Sequence, residues 1–222
     1  MNAVTAQLIL KELQVYRWLV ATAIAAGIFS LVLASTGEVA FNIGALAWLT
    51  IIISAGVLLP LYGIHQERKD RSLLFALSLP VSPADYIRAK MFGILLTFVV
   101  LWSALTIGAA ILVLAAPGIP NGLLPYVLLL SGFLLLNFSL VTSCAVLSKS
   151  DIAIGAVIVL TNMGVTLFMM TISRLPAISA HMLAASPVWN GPFFKVLAAE
   201  LAIVLIAFSL PPIVISRRRE IL

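Results

Sequence analysis

The chain has 222 residues, of which 63% are hydrophobic and 9% charged, with a mean hydropathy of +1.19 and a net charge of +5. A soluble domain carries about 45–50% apolar and about 25% charged residues. The composition therefore excludes a disordered chain, a disulfide scaffold and nearly every soluble enzyme class, and it predicts an all-α, polytopic membrane protein in a single transmembrane domain, 1–222.

In chain order, residues 3–16 read as an amphipathic helix. Ile9, Leu13 and Tyr16 share a face with Ala6 and Leu10, while Gln7, Lys11 and Gln14 lie opposite. That spacing suits a helix lying along the membrane surface; the alternative is a straight extension of the first span. Uncharged runs then place spans near 17–36, 40–63, 90–115, 123–147, 152–172 and 195–215, at about 20 residues per crossing. The uncharged stretch 91–148 is too long for one span, and the turn-forming residues of 116–122 divide it.

Between the second and third spans, residues 64–89 form a patterned loop. Glu67, Arg68, Lys69, Asp70 and Arg71 are a charge cluster. Residues 72–77 can form a short helix with an apolar face, and Leu79, Pro80 and Pro83 stop it. Ser82, Pro83 and Asp85 then have the order of a helix start, with a Ser cap, Pro in the first turn and an acid at the third position. Residues 173–194 hold Pro176, Pro187, Pro192, Trp189, Phe193 and Phe194, which predicts a short helix or re-entrant element at the opposite membrane face, or a plain loop anchored by aromatics.

Orientation follows from the basic residues. Lys11, Arg17, Arg68, Lys69, Arg71, Arg88, Lys90, Lys149, Arg217, Arg218 and Arg219 fall on one side of six spans, and only Arg174 and Lys195 on the other. The positive-inside rule puts both termini in the cytoplasm.

The loop carries a family resemblance. The segment from Glu67 to Ser82, followed by Asp85, Tyr86, Ile87 and Lys90, resembles the first cytoplasmic loop of ABC-2 type transporter permeases: an acid, an apolar helix, a Leu-Pro-Val-Ser turn, an acidic-aromatic pair and a Lys entering the third span. The match covers about a tenth of the chain. It departs at Arg71 and Ser72, where the family usually has Gly-Thr.

The resemblance implies a dimer of six-span halves, identical or related, with two copies of a separate ATP-binding subunit, in a bacterial cytoplasmic membrane. It implies a short cytoplasmic coupling helix, in which Leu73, Leu74 and Leu77 dock into the ATPase and Glu67, Arg68 and Arg71 set register at the rim, with Leu79 and Pro80 forming the turn. The chain has no Gly-rich stretch ending in Gly-Lys-Ser or Gly-Lys-Thr, so ATP and Mg are expected on the partner. The expected function is export of an amphiphilic or apolar substrate. The haem-exporter permease of cytochrome c maturation has a similar size and span count. A secondary transporter driven by an ion gradient is the rival from another class.

Polar residues within the spans are few. Asn42, Asn137, Thr161, Asn162 and Thr166 either line a translocation path or hydrogen-bond between helices. Glu200 is the only acid inside a predicted span; it is either functional or reaches the outer interface beside Lys195. Small-residue spacings at Ala23/Gly27, Ala104/Gly108 and Ser139/Ser143 suit close helix packing. Cys144 reads as a small buried hydrophobe. His65 and His181 fall on opposite sides of the membrane, and neither a catalytic nor a metal site is expected.

Overall fold

A computed structural model describes residues 3–66 and 83–217. Six long apolar helices account for most of them: α1 (Ala3–Ala34), α2 (Glu38–Pro60), α3 (Pro83–Ala115), α4 (Leu124–Leu147), α5 (Asp151–Arg174) and α7 (Gly191–Arg217). The short α6 (Pro176–Ser179) lies between α5 and α7. Each long helix is long and apolar enough to cross a membrane, so the chain is a multi-pass helical membrane protein by length and composition.

The helices alternate in direction. The end holding the first turns of α1 and the last turns of α7 is called the terminal end here, and the other the distal end. α4 is the central helix: 67% of its most apolar stretch is buried, against 11% for α5. α4 packs against α2, α3, α5 and α7, while α1 packs against α2 and α3.

Lipid tails are as apolar as leucine, so burial of apolar surface does not drive these contacts; close packing and interhelical hydrogen bonds do. Phe98 of α3 stacks on Phe138 of α4 with ring centroids 4.0 Å apart, and Phe208 of α7 lies 6.0 Å from Phe138. Phe133 of α4 stacks on Phe168 of α5 at 4.4 Å. Trp48 Nε1 of α2 donates to the Leu105 carbonyl of α3 over 3.1 Å, and Trp102 Nε1 of α3 donates to the Ser131 carbonyl of α4 over 2.8 Å. The Ser143 hydroxyl of α4 donates to the Ala207 carbonyl of α7 over 2.6 Å.

Small residues let α1 and α3 approach. A methyl group on Gly27 of α1 would overlap Leu105 of α3, and one on Gly108 of α3 would lie 2.8 Å from Leu31 of α1. Each helix thus seats a leucine in a notch on the other. These two glycines therefore serve packing within the chain.

Three elements differ from, or refine, the sequence expectation. Residues 3–16 are no separate surface helix: α1 runs unbroken over 32 residues, about 48 Å at 1.5 Å per residue. Its first turns pack on α3 through Ile9 and Glu12, and the Tyr16 hydroxyl lies beside Gly63, whereas Leu10 is exposed. Leu10 is one position from Ile9, about 100° round the helix, so it leaves the face that Glu12 joins. Next, α2 does not end as a plain helix. Pro60 has no N–H, the Leu61 N–H is shared between the Val57 and Leu58 carbonyls, and a π-helical turn follows over Leu61–Gln66. Lastly, the segment between α5 and α7 is one turn of helix followed by turns packed on the distal end of the bundle. Gly122 N–H donates to the Ala184 carbonyl over 2.9 Å, and Ile178 and Phe193 join Leu129 and Ile172 in a small second core. Asn190 caps α7 by accepting from the Phe193 N–H over 3.0 Å, and its amide donates to the Ala177 carbonyl.

Candidate functional site

The terminal end of the bundle gathers charge. α3 begins at Pro83 with Asp85 in its first turn, as the helix-start signal predicts, and Arg88 lies 3.5 Å from Asp85 on the surface. Two residues further on, Lys90 turns inward. Its Nζ donates to Glu12 Oε1 of α1 over 2.6 Å, and both side chains are buried, at 8% and 5% exposure. The close approach of the helices makes this possible: a methyl group on Gly93 would lie 2.9 Å from Glu12 Cγ. Two buried charges in this geometry attract each other strongly, and breaking such a pair is costly.

A second pair sits at the end of α2. The π-helical turn carries His65 to the start of α5, where its Nε2 lies 2.6 Å from Asp151 Oδ1. Ser150 caps α5 by accepting from the Ala153 N–H. Residues 67–82 lie between these anchors in the chain: His65 ahead of them is tied to α5, and Lys90 after them is tied to α1. Glu67, Arg68, Arg71, Leu73, Leu74, Leu77, Leu79 and Pro80, the residues expected to meet an ATPase, lie outside the described residues.

Of the residues expected to mark a translocation path, Asn137 and Asn162 are in direct contact. Asn42 stands near the distal end of α2, donates to the Glu38 carbonyl over 3.2 Å, and lines an apolar cavity of about 310 Å³ with Leu31, Trp48, Val113, Tyr126 and Leu130. Asn137 of α4 donates to Asn162 of α5 over 3.2 Å, so these two bond between helices. Thr161 bonds to its own helix and Thr166 is exposed on α5. Glu200 of α7 is 3% exposed and faces Gly132 of α4. It lies nine residues inside the helix start, about 13.5 Å along the axis, and does not turn back to Lys195, which is exposed.

The Glu12–Lys90 and His65–Asp151 pairs were not foreseen, because each joins residues remote in the chain. The only available signal was that Glu12 interrupts the apolar face of residues 3–16. Among the described residues, no group of three or more His, Cys, Asp or Glu could hold a metal ion. Comparison with protein-family models, curated proteins and solved structures finds no match for this chain.

Proposed function

We propose that the chain is the permease subunit of an ATP-driven exporter of the ABC-2 type, working as a dimer with separate ATP-binding subunits in the cytoplasmic membrane. The termini and residues 67–82 are then cytoplasmic, as the basic residues require. One observation carries the reading beyond the loop's resemblance: both flanks of that loop are tied to other spans, His65 to Asp151 of α5 and Lys90 to Glu12 of α1. A push on a loop held only by its own two helices would be lost in bending. Here it passes into four helices at once, as a rigid-body tilt needs. The apolar 310 Å³ cavity at the distal end, between α1, α2, α3 and α4, suits an amphiphilic or apolar cargo.

The test is affinity purification of the tagged protein from its native membrane in mild detergent, with ATPase activity assayed on what is retained. A stoichiometric ATP-binding subunit, lost with Leu74→Asp, is the expected result. A permease that purifies alone, and purifies identically with Leu74→Asp, would overturn the reading. A second reading, an ion-gradient-driven transporter, is favoured by the burial of Glu200 at membrane depth. It requires transport that follows a proton or sodium gradient with no ATP present.

A further inference from the structure

Glu200 is the described acid that nothing above accounts for. Its side chain is buried at 3% exposure, and among the described residues neither carboxyl oxygen has a hydrogen-bond partner. It is held in place by shape. Position 132 of α4 is glycine, and a methyl group there would overlap the Glu200 carboxyl. Leu197, one turn back on α7, closes the same notch. The carboxyl thus fills the space that a side chain at position 132 would take.

Among the described residues, the elements around the site bring no counter-charge to it. On α7 the other charged residues are Lys195, which is exposed, and Arg217 at the far end. On α4 the titratable residues are Tyr126 and Cys144, six residues before and twelve after Gly132, about 9 and 18 Å along the axis. The intramembrane part of α3, from Met91 onward, has none, and α6 has none. α5 carries Asp151 and Arg174 at its two ends. Among the described residues, no group of three or more His, Cys, Asp or Glu gathers here to hold a metal ion. A bare carboxylate sealed from water without a partner is among the costliest groups a membrane protein can hold. A neutral carboxylic acid is far cheaper to bury.

We propose that Glu200 is a membrane-embedded proton-binding site, closed by Gly132, and that α7 must part from α4 before this carboxyl can release its proton to water. The ligand is the proton itself. The step is a simple dissociation: the O–H bond breaks, the electron pair stays on the carboxylate, and water entering between the helices takes the proton. Protonation thereby favours the closed α4–α7 pair and ionisation the parted one. The inference does not depend on whether ATP or an ion gradient drives the protein.

Infrared spectroscopy of the full chain in lipid nanodiscs tests it, since no reagent has to reach the site. At neutral pH the wild type should show the carbonyl band of a protonated carboxylic acid, and Glu200→Gln, of the same shape, should lose it. Gly132→Ala, which crowds the carboxyl out of its notch, should weaken the band at the same pH. Absence of the band in the wild type, or its survival unchanged in Glu200→Gln, would overturn the proposal. If Glu200→Gln does not fold, Glu200→Asp reads the same property. A band that moves with the shorter acid supports the site, and one that stays in place overturns it.

Discussion

Glu12 and Lys90 form a buried ion pair, 2.6 Å apart. Breaking a buried pair by removing one partner costs about 3–5 kcal/mol. Glu12→Ala and Lys90→Ala should therefore each destabilise the protein by that order, read as a lowered unfolding midpoint in detergent. The double variant Glu12→Ala/Lys90→Met should cost clearly less than the sum of the singles, because the two side chains are in direct contact. Additive losses would show that the pair is not coupled. The neutral Asn137–Asn162 bond behaves differently. Hydrogen bonds between membrane helices contribute about 0.6 kcal/mol on average and about 1.7 at most. Asn137→Leu should thus cost no more than about that, and a loss several times larger would point to a role beyond the α4–α5 contact.

At the scale of elements, α1 and α3 stand apart from the rest. At 32 and 33 residues they measure about 48–50 Å, against about 30 Å of hydrocarbon. They run side by side and overhang at the same end, where Glu12 meets Lys90. Deleting residues 1–14 separates two pictures of that overhang. If it is packed as seen, the deletion lowers the unfolding midpoint. A helix merely resting on the membrane surface would leave the midpoint unchanged. The positions of the six long helices were legible in the sequence because uncharged runs of membrane length have few other uses. The start of α3 at Pro83 was legible because Pro and an acid are favoured in a helix's first turn, while Ser82, the expected cap, lies outside the described residues. The continuity of α1 was not, since Ile9, Leu13 and Tyr16 make the same stripe whether it faces lipid headgroups or α3. Nor was the burial of Glu200, which depends on a glycine sixty-eight positions away on another helix.

For the whole molecule, the direction in which the bundle sits decides what the charged end can meet. The terminal end brings together Glu12, Lys90, Asp85, Arg88, His65 and Asp151, while the distal end holds Glu38, Arg174, His181 and Lys195. Because Cys144 is the one cysteine, a Cys144→Ala background is free of thiols and accepts single reporters. Lys149→Cys stands at the terminal end and Leu183→Cys at the distal end, and both positions are exposed. A membrane-impermeant maleimide added to sealed, right-side-out vesicles should label Leu183→Cys at once. Lys149→Cys should stay unlabelled until the membrane is opened. That result places residues 67–82 on the side where ATP is made available, and a cytoplasmic ATPase has a surface to dock on. The opposite labelling pattern would put the anchored loop outside the cell, and the exporter reading would fall with it, because no ATP-binding subunit could then reach Leu74.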